Sequence, residues 1–121
     1  MSIKVYTATP RRLRTAIREA IEDGSITTWE IDADGDFTHS PDQWRDRAWM
    51  HVAEINPKES ILFGIIGRKG YDVTGEEYAL YHGRFAEMLL AHFDRYFVRI
   101  EISALATRHD RIISEEEEDE D

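Results

Sequence analysis

The chain has 121 residues, 41% hydrophobic and 11% aromatic, a size and composition that suit a folded core between two layers rather than a disordered polymer. It contains no cysteine, which excludes disulfides, thiolate zinc sites and cysteine nucleophiles. The formal net charge is −10, yet the last seven residues, Glu115 to Asp121, are all acidic, and without them 18 acidic residues face 15 basic ones.

In chain order, "SIKVYT" (Ser2–Thr7) reads as a first strand. Thr9-Pro10 then supplies a cap followed by proline at the first helical position. Leu13, Ala16, Ile17, Ala20 and Ile21 recur at helical spacing, and Gly24 stands where a C-terminal cap belongs. "SITTWEI" (Ser25–Ile31) is β-rich and runs into the acidic loop "DADGDFTHSPDQW" (Asp32–Trp44). "RAWMHVAEI" (Arg47–Ile55) and "ESILFGIIG" (Glu59–Gly67) flank "NPK", which has turn chemistry, and so read as an antiparallel hairpin. Thr74-Gly75-Glu76-Glu77 is a capping box that opens the longest helix, to about Arg95. "YFVRIEIS" (Tyr96–Ser103) alternates apolar and polar residues and reads as the last strand. The order β-α-β-β-β-α-β predicts a single α+β domain over residues 1–108: a largely antiparallel sheet of about five strands with two helices on one face. Residues 109–121 are expected to form a disordered acidic tail, because the like charges of Glu115–Asp121 repel and that run has nothing to bury. Such a tail serves as a solubilising terminus or as an arm that docks on a basic surface.

The segments "TWEIDADGDFTHSPDQW", "FGIIG" and "YALYHGRFAEMLLAHFD" resemble those of a family of small, uncharacterised bacterial proteins, over about residues 3 to 100. The resemblance implies a compact α+β fold. It assigns no activity, and no catalytic role follows from it.

The acidic loop invites a calcium reading. An EF-hand takes oxygens from positions 1, 3 and 5, a glycine at 6 and a bidentate glutamate at 12. Asp32, Asp34 and Asp36 fall at the first three, but Phe37 stands at 6 and the neutral Gln43 at 12. A turn built on Asp and Gly geometry is the simpler account. The remaining metal reading is a divalent cation held by Asp32, Asp34, Asp36 and His39. The other histidines do not form a ligand set by spacing. His82 and His92 are ten positions apart, or ~15 Å along a helix, while one metal binds its ligands at ~2 Å. Both lie on or beside the core-facing stripe of their helix, and His51 alternates with Trp49 and Ala53 on a strand. His109 falls in the tail. No Gly-x-Ser-x-Gly elbow is present.

Other residues point to binding surfaces. Arg11, Arg14 and Arg18 share one face of the first helix, with Arg12 nearby, against the sense of the helix dipole. They are either a solvated face or a site for an anion, an acidic partner or the tail. Trp44 and Arg45, beside Arg47 and Trp49, are residue types favoured at interface hot spots. Arg68 and Lys69 lie in "GIIGRKG", which lacks the phosphate-loop pattern. Ala79, Gly83, Ala86 and Leu90 form a stripe beside the core face of the long helix, which fits close packing within the chain or a homodimer contact.

The predicted function is a non-catalytic protein-interaction module, with a protein partner or a second copy bound through these surfaces. The alternative is a metal-dependent hydrolase or ligand-binding enzyme using the Asp32–Asp36/His39 loop. No resident cofactor is predicted. Nucleic acid is not expected, since that needs a strong basic face. Without a run of ~18 apolar residues or a signal-peptide pattern at the N-terminus, the expected location is cytoplasmic, away from membranes.

Overall fold

The first strand ends at Tyr6 and Pro10 starts the first helix, and from there the chain builds one sheet. A computed structural model describes residues 2–104 and residue 110; apart from Asp110, the expected tail lies outside the described residues. The elements are β1 (Ile3–Tyr6), α1 (Pro10–Glu22), β2 (Trp29–Ile31), β3 (Phe37–His39), β4 (Ala48–Asn56), β5 (Ser60–Gly67), α2 (Gly75–His92), a single 3-10 turn (Asp94–Tyr96) and β6 (Arg99–Ile102). The six strands lie in the order β2-β3-β4-β5-β1-β6, and every neighbouring pair is antiparallel. The fold is α+β, with one strand more than the sequence suggests.

The additional strand is β3, inside the stretch read as loop. Phe37 pairs with Ile31 of β2 on one side and Met50 of β4 on the other, and its ring is fully buried. The burial of that one aromatic converts the end of an acidic turn into a strand. Register then aligns the core: Met50 stands opposite Ile65, Ile3 opposite Phe63 and Val5 opposite Ile61. Alternation puts these side chains on one sheet face. Leu13 and Ile17 of α1 and Tyr81, Phe85 and Leu89 of α2 join them in one cluster, so both helices cover the same face.

The β4–β5 hairpin turns at Asn56–Glu59, where the Glu59 N–H donates to the Asn56 carbonyl at 3.0 Å and Lys58 takes a left-handed φ of 66°. The expected capping box forms at α2: the Thr74 hydroxyl accepts from Glu77 N–H at 3.1 Å, and the Glu77 carboxylate accepts from Thr74 N–H at 3.0 Å. That helix ends at His92 rather than near Arg95. Phe93 turns its ring into the core and leaves helical geometry at φ −130°, and the chain makes the short 3-10 turn before β6.

Candidate functional site

The acidic loop is a hairpin turn between β2 and β3. The Asp32 carboxylate accepts the N–H groups of Asp34 and Asp36 at 2.9 and 3.0 Å, and Gly35 sits at φ 84°, the left-handed region that favours glycine. This geometry gathers the carboxylate oxygens of Asp32, Asp34 and Asp36 within 4.8 Å of one another. They are the side chains able to hold a divalent cation. His39 is not part of that group; its ring stacks at 4.9 Å from Trp29 and 6.3 Å from Tyr81. The histidine that meets the loop is His51, whose Nδ1 lies 2.8 Å from the nearly buried Asp36 carboxylate. A guanidinium nitrogen of Arg14 lies 3.4 Å from where a Cβ on Gly35 would stand, so positive charge from α1 already neighbours the acidic turn. The EF-hand reading fails structurally at Phe37, which is core, and in the strand that follows where a helix is required.

A groove of about 590 Å³ opens between α2 and the Pro41–Trp44 segment, with Trp29, His39, Trp44, Leu80, Arg84 and Met88 among its walls. The loop is fixed from below. Thr38 Oγ1 donates to the Ala48 carbonyl at 2.9 Å and accepts the Asp46 N–H at 3.0 Å, while the Tyr81 hydroxyl donates to the Trp44 carbonyl. Burial is the main influence holding the His39 imidazole below its ordinary pKa. A backbone hydrogen bond at Thr28 opposes that shift and the charge of Arg84 adds to it. The ring is therefore neutral at pH 7, and its buried Nδ1 has no hydrogen-bond partner among the described residues. At the rim Arg84 and Glu87 form an ion pair at 3.2 Å. The aromatic walls of Trp29 and Trp44 suit the holding of an apolar group.

The remaining candidates have different surroundings. Arg11 and Arg18 are exposed on α1, whereas Arg14 is half-buried over the loop. Trp44 is partly buried and packs on the core, and Arg45 is engaged by Glu30 at 3.0 Å and Asp42 at 3.3 Å. Arg68 stands over the Tyr71 ring at 5.6 Å, beside an exposed Lys69. Tyr71 also receives Arg47 at 3.0 Å and donates to Glu77 at 2.7 Å. His82 is 1% exposed, with Nδ1 2.7 Å from the Tyr78 carbonyl, and His92 is exposed at the end of α2.

The solvent side of α2 is the least expected surface. Ala79, Gly83 and Ala91 are exposed and Ala86 is half-buried, with Leu90 57% exposed beside them. A Cβ built on Gly83 meets nothing within 4 Å, so close packing within the described residues does not account for this glycine. Strand alternation hints that His51 and Asp36 share the outer sheet face, but only once β3 is known. No helix among the described residues is long and apolar enough to cross a membrane. No known protein family, curated protein or solved structure matches this chain.

Proposed function

We propose that the chain is a non-catalytic protein-interaction module that holds a protein partner against the solvent side of α2 and the groove beside it. The supporting observation is the exposed run of Ala79, Gly83, Leu90 and Ala91 on a helix whose opposite side is core. With Glu76, Arg84 and Glu87 on the same solvent side, these residues offer an apolar contact within a polar rim. Glycine in mid-helix costs ~1 kcal/mol relative to alanine, and nothing within 4 Å among the described residues requires it at position 83. A second backbone approaching that point does. The groove adds aromatic walls from Trp29 and Trp44 for an apolar side chain of the partner, tryptophan being a favoured hot-spot residue. The acidic residues Glu115–Asp121 add long-range attraction toward a basic rim on that partner.

Titratable groups near the groove and loop are engaged in pairs that serve the fold: Asp36 with His51, Glu77 with Tyr71 and Arg47, Arg84 with Glu87. That favours binding over turnover. Two substitutions on the stripe test the reading. Gly83→Ala should raise the stability of the free chain by up to ~1 kcal/mol while weakening partner capture. Leu90→Arg should leave the melting temperature nearly unchanged and weaken capture at least tenfold. Crosslinking followed by quantitative pulldown reads both; equal capture by wild type and both variants sinks the proposal.

A further inference from the structure

We propose that a second copy of the chain joins the sheet at β6, strand against strand about a twofold axis through Ile100. This goes beyond the α2 reading and uses none of its residues. β6 is an edge of the sheet, paired with β1 on one side. In register with β1, Ile100 stands opposite Val5 and Ile102 opposite Ile3, both fully buried core residues. The apolar sheet face thus continues to the edge, where Ile102 is 45% exposed, and Val98, in the bend just before the strand, is 82% exposed. Of the four large hydrophobic residues exposed among the described residues, Tyr96, Val98 and Ile102 lie in this one segment.

The backbone is set for pairing. The Ser103 N–H donates to the Ser2 carbonyl at 3.1 Å, and Glu101 and Arg99 are the register partners of Lys4 and Tyr6. Alternation in an antiparallel ladder then turns the N–H and C=O groups of Ile100 and Ile102 toward the open edge. By Asp110 the chain is no longer at that edge. The Asp110 carboxylate accepts the Ile65 N–H at 2.9 Å and the Tyr78 hydroxyl at 3.1 Å, on the β5 side of the sheet.

Sequence at the edge is complementary to itself. Antiparallel pairing centred on Ile100 puts Arg99 opposite Glu101 of the second copy, twice, with Ile100 opposite itself. Opposite charges directly across a strand pair are favourable and like charges unfavourable. Shifting the centre by one residue to Arg99 sets two arginines face to face, and shifting it to Glu101 sets two glutamates face to face. Both side chains are more than half exposed on the outer face, where Arg99 lies over the Tyr6 ring at 4.0 Å and Glu101 accepts the Tyr6 hydroxyl at 2.8 Å. Tyr6, and the contact between the two side chains at 3.9 Å, hold both charges on that face. The opposite edge, β2, has three residues against four in β6 and carries no such self-complementary charge pair. A closed, isologous pair through β6 removes the longer exposed edge.

Size-exclusion chromatography with light scattering on the full chain tests this. Wild type is expected at twice the monomer mass. Arg99→Glu and Glu101→Arg should each weaken association at least tenfold when alone, and an equimolar mixture of the two should restore it, because each substituted side chain then meets its opposite charge. Ile100→Cys provides a second measurement, since the chain has no other cysteine and a hydrogen-bonded antiparallel pair sets the two Cα atoms ~5.5 Å apart, within disulfide reach. Mild oxidation should link two copies. A wild type that stays monomeric up to its solubility limit overturns the proposal. So does a dimer that survives both charge reversals and is instead dissociated by Leu90→Arg, which would assign self-association to α2.

Discussion

The two helices cover the same sheet face, yet they end the fold in different ways. α1 buries Pro10, Leu13 and Ile17 and turns Arg11, Arg12, Arg18, Glu19 and Glu22 to solvent. α2 buries Tyr81, His82, Phe85, Met88 and Leu89 and turns Ala79, Gly83, Leu90 and Ala91 outward among the charged Glu76, Arg84 and Glu87. A charged outer face completes α1, because water satisfies it. The small and apolar residues set among the charges on the outer face of α2 leave surface that water does not satisfy, and the binding proposal rests on that contrast. The arginines of α1, grouped together in the sequence, are divided in the fold: Arg14 lies against Gly35 of the acidic turn, while Arg11 and Arg18 stay exposed.

If α2 supplies the main column of the core, truncating its central aromatic should give the largest loss of stability in the chain. The Phe85 ring lies 4.8 Å from Phe63, 5.2 Å from Trp29 and 5.8 Å from Phe37, bridging three strands. Phe85→Ala is expected to cost ~3–5 kcal/mol, against ~2–5 for Leu13→Ala on α1. Denaturant titration of both variants measures the difference. A larger loss at Leu13 would reverse the ranking of the two helices.

Much of this architecture is legible in the sequence, for local reasons. Pro10, the Asn56–Glu59 turn and the Thr74/Glu77 box are each specified by residues within four positions of one another, and they stand where the pattern puts them. β3 is not legible: "FTH" is three residues long, between acidic residues and Ser-Pro, and becomes a strand through Met50, thirteen positions beyond Phe37. The same distance hides the partner of Asp36, since His51 reaches it from the neighbouring strand. The periodicity of α2 continues through Phe93, but the aromatic rotates into the core and ends the helix. The candidate site was legible in composition rather than in geometry. The stripe of α2 is visible as small residues, whereas its exposure depends on which flank the sheet takes.

The helix starts sharpen the comparison through pH. α2 begins on Glu77, 3% exposed; α1 has no acidic residue in its first turn. Burial pushes the Glu77 carboxyl up, but hydrogen bonds from Thr74 and Tyr71 and the charge of Arg47 outweigh it, and its pKa falls below the ordinary 4.5. A carboxyl with a lowered folded-state pKa contributes stability that is fully present above the unfolded value and lost as pH falls through the folded one. Acidification below 4.5 should therefore remove on the order of 1.5–3 kcal/mol, the range for hydrogen bonds to a charged group. Thermal melts of wild type and Glu77→Gln across that range provide the check: the variant should be less stable at neutral pH and show a flatter decline. Parallel curves would assign the acid sensitivity elsewhere.

The smallest effect separates two threonines in equivalent positions. Thr74 and Thr9 both precede a helix, and only Thr74 uses its side chain as a cap. At α1 the hydrogen bonding runs through other groups: Thr9 N–H donates to Thr7 Oγ1 at 3.1 Å, and the Thr9 carbonyl accepts from Leu13 N–H at 3.0 Å. Neither bond involves the Thr9 hydroxyl, and Pro10 at the first helical position lacks the N–H that would otherwise need a partner. Thr74→Ala should cost ~1 kcal/mol. Thr9→Ala should cost a few tenths at most, as expected of an exposed side chain outside any such feature. Denaturant titrations on the two variants read the difference directly. Equal losses would mean that the Thr9 hydroxyl caps α1 in solution, so that the two helices begin alike and differ only in the faces they turn outward.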